Sequence, residues 1–212
     1  KEFDVVAVAA ASIAQVHYAV TLDGQKVAVK VLRPNIEKAF NRDLNLLNWC
    51  ADLIERAKPE LRRLKLRKVV ETLSATVELE MDLRFEAAAA AELSENFKDD
   101  PDFKVPEVDW GRTGKRVMTT ERVEGISLDD RDAIITAGHN PLEITEKAAK
   151  ITFKQIFRDG FFHADVHPGN LFVTHKGVIA AVDFGIMGRI DVQTRRTLGE
   201  LLLAFLTRNY RR

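Results

Sequence analysis

The stretch His163-Ala164-Asp165-Val166-His167-Pro168-Gly169-Asn170, followed by Val182-Asp183-Phe184-Gly185, constrains this chain more than any other feature. An Asp, an Asn five residues later and a downstream Asp-Phe-Gly form a spacing suited to phosphoryl transfer. The residue types follow from the chemistry. A carboxylate is needed to orient the nucleophile, and oxygen ligands are needed for Mg²⁺, which binds carboxylates and side-chain carbonyls beside phosphate oxygens. Asp165 suits the first task as the catalytic-loop carboxylate. Asn170 and Asp183 suit the second as metal ligands.

A second signal is Val27-Ala28-Val29-Lys30. A lysine on a strand neutralises the α- and β-phosphates of a nucleotide as a point charge. Such a lysine needs a carboxylate to hold it. Residues four apart share a helix face, so Glu78, Asp82 and Glu86 read as a carboxylate stripe, with Glu86 the partner of Lys30 and Glu80 free to pair with Arg84. The alanine run Ala87–Ala91 directly after Glu86 implies close packing against a neighbour. Ala9-Ala10-Ala11-Ser12 lies between two strand-like runs, at the place of a phosphate-binding loop. Glycine lets backbone N–H groups curl onto phosphates, whereas alanine resists positive φ, so this loop is expected to be stiff. Met118 to Gly125 reads as a strand leading to a linker, with backbone groups of Glu121 and Val123 available to adenine.

The chain has 212 residues, 46% hydrophobic and 30% charged, enough for a sizeable core. Lys+Arg and Asp+Glu are 32 each, so nothing global points to nucleic acid. The single cysteine, Cys50, excludes an intrachain disulfide and is expected to be a buried thiol on an amphipathic helix. No apolar run is long enough to span a bilayer. The first residue is Lys1 and the last residues follow an apolar helical stretch, so the chain reads as part of a longer protein.

Residues 3–32 read as strands with a turn at Asp23-Gly24. Helix follows from Pro34, with Leu44, Leu47, Ala51 and Ile54 on one face, and stops at Pro59. One long helix is expected over Leu66 to Phe97. Strands are expected at Val105–Trp110 and Arg116–Val123, then helix over Leu142–Arg158. A hairpin of Asn170–Thr174 and Val178–Val182 turns at His175-Lys176-Gly177, and Asp191–Leu206 closes as a helix. His163 is expected to orient the catalytic loop by hydrogen bonding rather than to bind zinc.

Taken together, these residues resemble the UbiB family of atypical kinase-like proteins of ubiquinone biosynthesis. The resemblance runs over essentially the whole chain and rests on Ala9-Ala10-Ala11-Ser12, Val27-Ala28-Val29-Lys30, Glu80-Met81-Asp82 with Glu86, Phe161 through Asn170, and Asp183-Phe184-Gly185. It implies an α+β, protein-kinase-like bilobal fold, with residues 1–123 as a small N-lobe and residues 124–212 as an incomplete, mainly helical C-lobe. It also implies an ATP/ADP and Mg²⁺ site. Lys30 would pair with Glu86, Asn170 and Asp183 would hold metal, and Asp165 would take the catalytic position. Glu80 and Asp82 would form a family motif that meets an N-terminal extension. The implied activity is that of an ATPase or phosphotransferase supporting ubiquinone biosynthesis. Lipid precursors and biosynthetic enzymes would be its partners, at the cytoplasmic face of the bacterial inner membrane and through regions outside this chain. A nucleotide-binding scaffold without turnover and a small-molecule phosphotransferase are the other readings. Val8 and Val166 stand where Pro is common in the family.

Overall fold

The computed structural model describes residues 2–10 and 13–208. In chain order the strands and α-helices begin with β1 (Glu2–Phe3), β2 (Ala9–Ala10), β3 (Ala14–Val20), β4 (Lys26–Leu32), α1 (Ile36–Ala57), α2 (Leu66–Glu80) and α3 (Leu83–Asn96). They continue with β5 (Phe103–Lys104), β6 (Val117–Glu121), β7 (Ile126–Ser127), α4 (Arg131–Thr136), α5 (Pro141–Phe153) and β8 (Phe161–His163). The last are β9 (Leu171–Val173), β10 (Ile179–Ala181), β11 (Met187–Arg189) and α6 (Val192–Leu206). Two compact units result: residues through Ala87 with Val108–Glu121, and Ala88–Glu107 with the residues from Arg122 onward.

The first unit is built on an antiparallel sheet of order β1-β3-β4-β6, with β2 also pairing with β3. Valines at alternate positions of β4 suit a pleated, half-buried surface. Gly24, at φ 84°, makes the β3–β4 turn, and the Thr21 hydroxyl accepts from the Gln25 N–H. In the register, Lys30 stands opposite Val16 on one side and Met118 on the other. Helix α1 buries Leu44 and Ala51 against Val70 and Leu66 of α2. The expected four-residue stripe is narrower than the pattern suggested. Leu47 and Ile54 stay exposed, and Cys50 is only half-buried.

The expected single helix over Leu66–Phe97 is two helices. Helix α2 ends at Glu80, and Asp82 starts α3 by accepting from the Arg84 N–H at 3.2 Å. The Leu83 N–H leaves the helical ladder and donates to the Lys115 carbonyl at 2.9 Å. A carboxylate at a helix N-cap satisfies a donor that has no intrahelical partner, so the break is locally stable.

In the second unit, β5 pairs in parallel with β10, and β10, β9 and β7 continue antiparallel. That β5–β10 pairing groups residues 88–107 with the later part of the chain. Leu93, Phe97, Phe103, Ile151, Val173 and Ile179 form the core, with Phe97 and Phe103 edge-to-face at 4.9 Å. Helix α5 starts from Asn140, whose side chain accepts from the Leu142 N–H, with Pro141 at the first helical position. It does not run regularly to Arg158. Its end widens into a π-helical turn over Lys154–Asp159, closed by Gly160 at φ 66°. A two-stranded ribbon of β8 and β11 places His163 opposite Met187.

Candidate functional site

Lys30 and Glu86, 56 residues apart in sequence, meet in the first unit. Lys30 Nζ donates to Glu86 Oε1 at 2.6 Å, and the side chains are 17% and 7% exposed. Strand β4 lies between β3 and β6, so the Lys30 backbone is fixed on both sides. Glu86 faces inward because the Asp82 cap sets where α3 begins.

The proposed carboxylate stripe does not survive the helix break. Glu78 and Glu80 are exposed near the end of α2, while Asp82 is buried in the junction. Arg84 does not pair with Glu80. Its guanidinium clamps Asp82 instead, Nε to Oδ1 at 2.8 Å and Nη2 to Oδ2 at 2.6 Å. The Arg84 side-chain hydrogen bond holds the Asp82 carboxyl below its ordinary value, against the opposing effect of burial.

Ala9 and Ala10 are not loop residues. They form β2, opposite Val16 and Gln15. The β3 edge offers backbone partners, and alanine has no preference for the positive φ of a phosphate loop. Ala11 and Ser12 lie outside the described residues. Glu121 ends β6 opposite Val27. Val123 is half-buried in the following segment and belongs to the second unit.

In the second unit His163 joins the pieces of the stretch from His163 to Gly185. Its Nδ1 accepts from the Asp165 N–H at 3.2 Å. An accepting Nδ1 leaves the proton on Nε2, which donates to the Asp183 carbonyl at 2.6 Å. One imidazole therefore ties the backbone before Asp165 to the backbone at Asp183. Asn170 reaches the same place through the β9–β10 hairpin, because the Val182 N–H donates to the Asn170 carbonyl at 3.0 Å. Asp165 is exposed, and Asn170 and Asp183 are half-buried.

Phe184 supplies the anchor. At 1% exposure it is a core residue, worth about 2–3 kcal/mol of burial. With Phe184 held inward, Asp183 is aimed from a fixed backbone, and its Oδ1 accepts from the Gly185 N–H at 3.1 Å. Short-range polarity alone did not reveal two other contacts. Gln155, buried at 5%, accepts from the His163 N–H at 2.9 Å. Arg189 on β11 donates to Glu92 at 2.8 Å and lies over the Phe161 ring. The signal for Gln155 was present in the sequence: it continues the spacing of Ile144, Ala148 and Ile151, so a polar side chain sits on the buried face.

A model of the ABC1 atypical kinase-like domain matches residues 1–212. The chain belongs to the ABC1 atypical kinase-like family. Two curated relatives of this ABC1 domain are each named "Probable protein kinase UbiB". The Marinobacter nauticus protein is 44% identical over 99% of this chain and 39% of its own length. The Vibrio vulnificus protein is 41% identical over 100% of this chain and 40% of its own length. The ABC1 domain thus spans about two fifths of those relatives. Among solved structures, the complex of Rv3197 with erythromycin from Mycobacterium tuberculosis superposes with a TM-score of 0.74. The two are 29% identical, covering 95% of this chain and 53% of that one. The fold is therefore the kinase-like ABC1 fold, with antiparallel sheets and helices in the arrangement described above. No helix among the described residues is long and apolar enough to cross a membrane.

Proposed function

We propose that this ABC1 domain binds ATP or ADP with Mg²⁺ and uses the nucleotide for phosphoryl transfer, in a longer protein that supports ubiquinone biosynthesis. The observation that carries the reading is the His163 bridge, which gathers Asp165 and Asp183 beside the Asn170 end of the hairpin. Those residues suit Mg²⁺: one carboxylate and one side-chain carbonyl leave coordination places for phosphate oxygens and water. Mg²⁺, when bound, would neutralise charge on the phosphates.

The chain's own residues have separate tasks. Lys30, held by Glu86, counters phosphate charge. Asn170 and Asp183 hold the cation. Asp165, exposed at the loop, orients the attacking hydroxyl or water. Glu121 and Val123 offer backbone groups to adenine. The Ala9–Ser12 segment would face the nucleotide's phosphates, and Glu80 with Asp82 would meet a segment from the longer protein. The longer protein would act on, or present, lipid precursors of ubiquinone at the cytoplasmic face of the bacterial inner membrane, or organise the enzymes that do.

The test is Mg²⁺-dependent ATP hydrolysis by the full-length protein, with and without vesicles containing a ubiquinone precursor. Lipid-stimulated turnover that Asp183→Asn abolishes supports the reading. Tight Mg²⁺-nucleotide binding without turnover would replace it with a nucleotide-binding scaffold.

A further inference from the structure

Strand β8 has a backbone problem that its partner strand does not solve. The ladder to β11 is made at alternate residues: the Ile190 N–H donates to Gly160, and the Ala164 N–H donates to Ile186. His163 falls between bonded pairs, so its N–H points away from β11. His163 is itself buried at 8%. A buried N–H on that side needs an acceptor from elsewhere.

The π-helical turn supplies it. The Gly160 N–H returns to the Gln155 carbonyl, five residues back, which widens the helix where Gln155 emerges. The turn is itself pinned. Arg158 lies over the Phe97 ring and donates to the Asn96 carbonyl at 2.8 Å, and Arg195 Nη1 donates to the Arg158 carbonyl at 2.6 Å. From that fixed turn, Gln155 Oε1 accepts from the His163 N–H at 2.9 Å.

We propose that Gln155 is a positioning residue for the catalytic loop: it fixes the His163 backbone, and through the His163 ring it sets the Asp165 and Asp183 backbones. The inference rests on the phosphoryl-transfer reading for its effect on rate, but not for its effect on the loop. Gln155 touches neither nucleotide nor metal ligand in this scheme. It acts through a chain of three hydrogen bonds, Gln155 to His163, then His163 to both Asp165 and Asp183. A misplacement on the order of 1 Å at such a site costs roughly a hundredfold in rate.

The test uses the full-length protein with Gln155→Met, which keeps the volume and removes the acceptor, and Gln155→Glu, which restores an acceptor at the same reach. Hydrogen exchange is read by mass spectrometry on the peptides covering 161–166 and 170–182, beside kcat and KM for Mg²⁺-ATP. In Gln155→Met, exchange should rise about tenfold in 161–166 alone, with kcat down roughly ten- to a hundredfold and KM within about twofold. Gln155→Glu should recover both. Equal loosening of 170–182, or a Gln155→Glu variant no better than Gln155→Met, overturns the proposal in favour of a general packing role. If Gln155→Met does not fold, Gln155→Asn decides. It carries the same amide one methylene too short, and wild-type exchange in 161–166 would refute the anchor. If the wild-type protein shows no turnover, the phosphoryl-transfer reading falls while the exchange comparison still settles the anchoring.

Discussion

Lys30 Nζ lies 2.6 Å from Glu86 Oε1, and only 17% and 7% of the two side chains reach solvent. A charge pair this sheltered is far more sensitive to loss of one member than to loss of both, because the survivor is left charged in a poorly solvated place. Lys30→Met should destabilise the protein by on the order of 3 kcal/mol. The double variant Lys30→Met with Glu86→Leu should recover a large part of that. A urea-unfolding cycle checks it, and strict additivity of the two single changes would contradict the coupling. Calorimetry with Mg²⁺-ATP should also show weaker binding in Lys30→Met.

Asp183→Asn should separate folding from function. The amide oxygen still accepts from the Gly185 N–H, and the buried neighbour Phe184 is untouched. Thermal unfolding should stay within about 2 °C, while Mg²⁺-dependent nucleotide binding falls at least about tenfold. A parallel loss of melting temperature would assign Asp183 to the fold instead.

Gly160 tolerates no side chain. Its φ of 66° favours glycine, and an added Cβ would lie 2.6 Å from the Ile190 carbonyl oxygen. Gly160→Ala should cost about 2–4 kcal/mol, from left-handed backbone strain and overpacking together. A shift of the urea midpoint by less than a quarter of that would mean the π turn relaxes freely.

Two partly sheltered carboxylates, Asp100 and Asp82, should contribute to acid unfolding. Burial alone pushes the Asp100 carboxyl up. The hydrogen bond from Lys154, the Asp102 N–H and the charges of Lys154 and Arg158 outweigh it and hold the carboxyl below its ordinary value. Asp82 is held down by Arg84. Folded-state values below unfolded ones mean that this stability is present above the unfolded pKa, about 3.9, and is lost as pH falls through the folded values. Urea midpoints should therefore hold between about pH 7 and 5 and drop below about pH 4. Asp100→Asn should lower the midpoint at pH 7 and flatten the acid limb, and an unchanged limb would remove Asp100 from the account.

The parts of the fold legible in the sequence were those set by local chemistry. The β3–β4 hairpin showed itself through Asp23-Gly24, and α6 through the apolar pattern from Asp191 to Leu206; the structure adds that the Asp191 side chain caps it by accepting from the Thr194 N–H. The pairing of Lys30 with Glu86 was legible from charge and from the alanine run after Glu86, although the single-helix stripe that also pointed to it is broken. The break at Met81-Asp82 was hidden because Glu80, Met81 and Leu83 are all good helix formers. What ends α2 is a tertiary hydrogen bond from Leu83 to Lys115, which no local window contains. Ala9 and Ala10 joined a sheet for a similar reason, since strand pairing depends on an edge supplied by β3. The half-exposure of Cys50 shows the same limit, because the apolar pattern of α1 is wider than the surface α2 offers it.

The junction at Asp82 also works as a rotational reset. Each helical residue turns the chain by about 100°, so in one unbroken helix any change of length upstream would swing Glu86 to a new bearing. Because α3 restarts at its own cap, a residue gained or lost within α2 leaves the Glu86 carboxylate aimed at Lys30. A single residue inserted between Asp82 and Glu86 would turn it away. The tolerance of this protein to insertion is thus set by a boundary two residues wide, with length free to drift on one side and phase locked on the other.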